Sequence, residues 1–145
     1  MSADDRKVLR GLKVLEVVVE DMSDDAVKAG LSPDQYENDL ELRLREAGIK
    51  VRSKDEKATT SVPYVYLRVS ALVLPEPPIV FYDIDLQLEE GVLLSRNPKI
   101  WTVARTWHSK GSFGSEETGH IGHVRDRVKD AVDEFINAWL AANTK

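Results

Sequence analysis

Between Val62 and His108 the sequence alternates apolar and polar residues along three long runs, with only two short breaks between them. A period of two is the spacing of a strand with one face on a core and the other in solvent. In the run from Val62 to Leu74, Val65, Leu67, Val69 and Ala71 fall on one side, and Tyr64, Tyr66, Arg68 and Ser70 on the other. The run from Ile79 to Leu94 sets Tyr82, Ile84, Leu86 and Leu88 against Asp83, Asp85, Gln87 and Glu89. The run from Ile100 to His108 sets Trp101, Val103, Arg105 and Trp107 against Ile100, Thr102, Ala104, Thr106 and His108. The breaks, "PEPP" at 75–78 and "SRNPK" at 95–99, are too short for crossovers, so the runs predict an antiparallel meander. Gly91, inside the second run, marks a bulge or twist.

The flanking sequence supplies the rest of the fold. Leu12 to Val19 is nearly all apolar and rich in valine, the pattern of a strand buried on both faces. "EDMSDDAVKAG" reads as a polar connection. Ser32, Pro33 and Gln35 then form a capping-box helix start. Tyr36, Leu40, Leu44 and Ala47 share one face of that helix, and Asp39–Arg43 and Glu41–Arg45 are spaced as i,i+4 pairs. Gly48 closes it. "IKV" at 49–51 reads as a short strand, and "SKDEKATTS" at 53–61 as a loop. "SKGSFGSEETG" at 109–119 reads as a flexible connection, followed by an amphipathic helix with Val124, Val128, Val132, Phe135 and Trp139 on its apolar face.

The predicted order is β-α-β-β-β-β-α. It makes one α/β (α+β) domain over residues 1–145, with residues 1–10 as a flexible tail. The sheet is mixed and five-stranded, with two helices on one face and a right-handed first crossover. The predicted core comprises Val17, Val19, Leu40, Leu44, Val65, Leu67, Val69, Ile84, Leu86, Val128, Phe135 and Trp139.

Composition narrows the functional classes. The chain has 42% hydrophobic and 31% charged residues, the balance of a globular domain. No apolar run approaches the roughly 18 residues of a transmembrane helix. A net charge of −5 with no basic run disfavours nucleic acid as a partner. With no cysteine, disulfides, thiolate chemistry and Cys-based zinc sites are excluded.

No motif identifies a reaction. Residues 120–123 spell His-Ile-Gly-His, the nucleotide-gripping signature of class I aminoacyl-tRNA synthetases. There it follows the first strand of a nucleotide-binding domain, whereas here only a single helix follows, and the companion lysine-rich loop is missing. His108, His120 and His123 would meet the ligand count of a catalytic zinc site, and a small-molecule or metal-dependent enzyme centred on them is the alternative reading. Asp83, Asp85 and Glu89 line up on a solvent-facing strand side, the ordinary place for charge. "GSFGS" at 111–115 lacks the lysine of a phosphate-binding loop, and no G-x-S-x-G elbow is present. The sequence assigns no catalytic residue and no cofactor.

The polar side of the meander points instead to binding. Tyr64, Tyr66 and Arg68 share it, joined by Trp101, Arg105 and Trp107 if Ile100, Thr102 and Ala104 face the helices. In the opposite register both tryptophans belong to the core. Tyr, Trp and Arg are the residues of interaction hot spots, so these six are the candidate partner-binding set, for a protein partner or a homo-oligomer.

The stretches "VVVEDMSDDAVKAGLSPDQYENDLELRLREAGIKV", "YVYLRVSAL" and "VRDRVKDAVDEFINAWLAAN" resemble a family of small, uncharacterised bacterial proteins, many of them exported. The element order also resembles the N-terminal domain of TolB and related envelope-assembly domains, such as that of the curli secretion pore protein. The resemblance implies an exported domain used for protein–protein contact, hence a periplasmic or exported location, with a cytoplasmic one as the alternative. On that reading Met1-Ser2 is an addition ahead of a mature chain beginning near Ala3; otherwise Met1 is the natural start.

Overall fold

A computed structural model describes residues 7–53 and 62–144. Residues 1–6 of the expected tail and 54–61 of the expected loop lie outside the described residues. The strands are β1 (Val14–Val19), β2 (Lys50–Val51), β3 (Tyr64–Pro75), β4 (Pro78–Leu94), β5 (Asn97–His108) and β6 (Ser112–Glu117). The helices are α1 (Asp24–Lys28), α2 (Pro33–Glu46) and α3 (Gly122–Asn143), preceded by a 3-10 turn at Lys7–Leu9. The α+β class stands: a mixed sheet in the order β2-β1-β3-β4-β5, with β6 also on β4, carries the helices on one side. β1 pairs in parallel with both β2 and β3, and the β3-β4-β5 meander is antiparallel.

Two elements add to the expected count. Helix α1 lies within the stretch read as a connection. The Ser23 hydroxyl accepts from the Ala26 N–H, and Gly30 at φ 107° ends the helix with its N–H on Val27 while Leu31 reaches back to Ala26. α2 ends the same way: Gly48 at φ 97° donates to Arg45, and Ile49 donates to Leu44. In both, a left-handed glycine is followed by a buried apolar residue packed on the last turn, the Schellman arrangement.

The other addition is β6. It pairs antiparallel with Ile79–Ile84 of β4, while β5 pairs with Gln87–Leu94, so the two occupy successive lengths of one edge. The break between them turns on Ser109, 3% exposed. Its N–H donates to the Leu86 carbonyl at 2.8 Å, and its Oγ accepts the Leu86 N–H at 3.1 Å and the Gly111 N–H at 3.3 Å. A side chain thereby completes the ladder where the backbone leaves it, satisfying a buried donor.

The core lies between the sheet and the helices. Of the twelve residues predicted for it, Val19 and Trp139 are half-buried at its margin, and the others are buried. Trp107 and Phe135 meet edge-to-face at 5.1 Å, and burying a side chain such as Phe135 contributes about 1.5–3 kcal/mol. β1 departs from burial on both faces: Leu15 and Val17 point to the core, while Glu16 and Val18 are only half-covered. The chain expected to be flexible as far as residue 10 is held from Lys7 onward. Leu9 is fully buried, Asn143 donates to its carbonyl at 3.0 Å, and Trp139 Nε1 donates to Leu12 at 2.7 Å. The expected Asp39–Arg43 pair is replaced by ties between helices. Asp39 takes a two-pronged contact from Arg125 at 2.7 and 2.9 Å, and Arg43 reaches Asp133 at 2.6 Å.

Candidate functional site

The helices cover one side of the sheet. On the other side the cross-strand pairs of β3, β4 and the β5–β6 edge form a series of rows, since directly paired residues share a face. Leu72 and Phe81 pair at one end, next to Ser70–Asp83–Phe113. Arg68–Asp85, Tyr66–Gln87–His108 and Tyr64–Glu89–Arg105 occupy the middle. Gly91–Val103 and Leu93–Trp101 close the far end.

The two tryptophans part company. The ladder shifts register between Leu88 and Glu89: Trp107 pairs with Leu88 and Arg105 with Glu89, leaving Thr106 without a partner. Thr106 instead donates its hydroxyl to Glu90 at 2.6 Å. This bulge puts Trp107, 2% exposed, into the core and Trp101, 57% exposed, on the open face. A side chain at Gly91 would stand within 2.4 Å of the Trp101 indole, so the ring lies across the glycine of the neighbouring strand. Gly91 is therefore a seat for Trp101, and the register shifts lie beside it. The expectation that Trp107 belongs to the partner-binding set is corrected by its burial against Phe135; Tyr64, Tyr66, Arg68, Trp101 and Arg105 remain on the open face.

The middle rows are polar and cross-linked. Tyr66 donates to Glu20 at 3.0 Å, and Arg68 stands 3.7 Å from Asp85. Tyr64 donates to the Glu89 carboxylate, which pushes its pKa up to about 12 because ionisation would set two negative groups against each other. Gln87 also donates to Glu89, at 2.5 Å, and Glu16 pairs with Arg52. Asp85 and Glu89 thus serve as hydrogen-bond and ion-pair partners, and Asp83 is exposed.

The ends are apolar. Leu72 is 61% exposed, Phe81 44% and Phe113 88% at one; Leu93 is 62% exposed and Val103 44% at the other. Leu72 and Phe81 fall on the polar side by strict alternation, a signal present in the sequence. Phe113 gave none, because its segment reads as a loop.

The histidine centre is not assembled. His108 pairs with Gln87 while Glu117, close in sequence to His120 and His123, pairs with Ile79. Eight residues of strand separate the two, about 26 Å. His123 Nδ1 contacts Glu116 at 2.8 Å and His108 Nδ1 donates to the Ser109 carbonyl at 2.8 Å. Among the described residues no group of three His, Asp or Glu is placed to hold a metal. His-Ile-Gly-His opens α3 with both imidazoles in solvent, 78% and 70% exposed.

No family model and no curated protein matches the sequence. Among solved structures, the chain is similar to the PelC dodecamer from Paraburkholderia phytofirmans. A methionine-substituted form of it is 13% identical with a TM-score of 0.44, over 94% of this chain and 90% of that one. A second PelC dodecamer structure is 10% identical with a TM-score of 0.43, over 90% and 88%. Both scores lie under one half, so the likeness carries neither function nor assembly state to this chain.

Proposed function

We propose that this chain is a non-enzymatic docking module of the bacterial envelope, exported to the periplasm and acting by protein–protein contact through the open face of its sheet. The observation that carries this reading is the exposure on one sheet face of Leu72, Phe81, Phe113, Leu93 and Trp101, beyond the reach of the helices. Apolar clusters at the two ends of one uncovered face, Leu72, Phe81 and Phe113 at one and Leu93 and Trp101 at the other, mark a surface that another molecule covers. The tyrosines and arginines between them are suited to hot-spot contacts. The resemblance to exported bacterial domains supports the envelope setting.

Photo-crosslinking in the native host tests the surface. A photoreactive residue in place of Ser70 or Val103 should capture protein, and one in place of Leu42 or Asn137, on the helices, should not. Capture from the helical positions alone would sink the reading. Fractionation with mass determination of the native N-terminus tests the setting: a cleaved, exported chain is expected, and an intact cytoplasmic one would remove the envelope from the proposal.

A further inference from the structure

Of the strand edges that bound the sheet, one is unprotected. β2 is two residues long, and β6 carries Glu116 and Glu117; shortness and charge are what keep an edge from pairing. β5 ends the sheet over twelve residues, with no strand beyond it among the described residues. From Ile100 to Ala104 it holds no charge, proline or glycine. Ile100, Trp101 and Val103 are 39%, 57% and 44% exposed. A strand added there would take up the outer N–H and C=O groups of β5.

The charges around this edge suit a second copy of the chain. Every charged residue between Gly91 and Lys110 is basic, namely Arg96, Lys99, Arg105 and Lys110, in a chain of net charge −5. Beside the Lys110 end of the edge, Asp130, Asp133 and Glu134 of α3 line a groove with Lys110, and Glu134 accepts the Lys110 N–H at 3.1 Å. Three carboxylates outnumber the one lysine, so this end is acidic while the Ser95–Arg96 turn at the other is basic. A two-fold axis normal to the sheet runs β5 antiparallel to its copy and carries each turn to the groove of the other.

Charge also selects the register. Centred on Val103, the pairing sets Trp101 beside Arg105 of the second copy, ring against guanidinium, and brings the turn level with Ser109–Lys110. Centring on Thr102 would oppose Lys99 and Arg105, a like-charge pair. Centring on Trp101 would stop the turn near Arg105, short of the groove. The Val103 register has an apolar centre and charged margins, the anatomy of a specific interface.

We infer that two copies of this chain join through β5, paired antiparallel about a two-fold axis at Val103, so that one sheet runs through the dimer. The inference stands apart from the docking reading, since Ser70 lies on β3, two strands in from this edge. The chain has no cysteine, so a single introduced one reports the pairing. Across the axis the two Val103 Cα atoms would stand about 4.5–5.5 Å apart, a separation a disulfide spans. Val103→Cys should therefore give a disulfide-linked dimer on mild oxidation, and Ser70→Cys should not. The wild-type chain should sediment as a dimer at roughly 100 µM. Asp130→Lys, and Arg96→Glu combined with Lys99→Glu, should each weaken dimerisation by about tenfold, because each sets like charges together twice. An equimolar mixture of the two should recover a heterodimer, in which each reversed charge meets its complement. Circular dichroism confirms that each variant is folded.

A monomeric wild type, charge variants that dimerise as the wild type does, a mixture that stays monomeric, or a dimer linked through Ser70→Cys and not through Val103→Cys would each overturn the inference. Capture of a different protein by a crosslinker at Ser70 then decides the docking reading on its own: the edge pairing can fall while that reading stands, and the reverse.

Discussion

Replacing Ser109 by alanine tests whether β5 and β6 form one edge strand held across its break by a side chain. The substitution removes an acceptor and little volume. Two N–H groups lose their partner, with different consequences. Gly111 is exposed, so water replaces the hydroxyl there at little cost. Leu86 is 0% exposed, and its N–H is left unpaired inside the sheet. One orphaned buried donor costs about 1–3 kcal/mol, and each kcal/mol lowers the melting temperature of a chain this size by about 2–4 °C. Urea unfolding should show a lower midpoint with an unchanged slope, since the surface exposed on unfolding stays the same. Hydrogen exchange at the Leu86 amide should quicken beyond the change at β1 amides. An unfolding free energy that falls by less than about 0.5 kcal/mol, with Leu86 protection intact, would refute the assignment of that hydroxyl as acceptor.

Three further outcomes follow from single residues. Gly48→Ala places a side chain at φ 97° with nothing within 4 Å of the new atom, so its cost is that of the left-handed backbone alone, about 1–2 kcal/mol by urea unfolding. Glu89→Gln should lower the Tyr64 pKa from about 12 toward that of an ordinary tyrosine, read by phenolate absorbance. Because the folded value is raised, the Tyr64 contribution is full below about pH 10 and fades as pH rises through the folded value; the variant should lose that alkaline fade. The Arg125 hydrogen bond holds Asp39 below the usual carboxylate range, so its contribution is present above about pH 4 and is lost as pH falls through the folded value. Arg125→Gln should therefore destabilise the chain at neutral pH, and its deficit against the wild type should shrink on acidification.

Much of the fold was legible because its signals are local and periodic. The three alternating runs became β3, β4 and β5, and the cap at Ser32 and stop at Gly48 bound α2 as read. The α1 segment was missed although it carries the same signals on a smaller scale. "KAGL" ends it as "EAGI" ends α2, and Ser23 caps it, but five residues are too few to show a helical period. The Asp39–Arg43 pairing was misread because i,i+4 spacing states which residues can meet along one helix, and not that α3 brings Arg125 to Asp39 at closer range.

The composition of the open face was decided by two irregularities of the edge strand, neither of them periodic. Alternation tells which residues share a face only while the ladder is unbroken. One unpaired residue, Thr106, separates the two tryptophans, and what stabilises it is a bond to Glu90 on the adjacent strand. No spacing within β5 contains that information. The second irregularity is the Ser109–Gly111 break, where Gly111 turns at φ 80° and Ser109 bonds across to Leu86. It made Ser112–Glu117 read as a loop. Past the break the strand resumes against β4 and delivers Phe113 to the face opposite the helices. Both irregularities act in the same sense. The bulge gives the face Trp101 at one end, and the break gives it Phe113 at the other. An uninterrupted edge strand would have neither the unpaired Thr106 that separates the tryptophans nor the turn from which β6 resumes, so the two apolar ends depend on the places where the ladder departs from regularity.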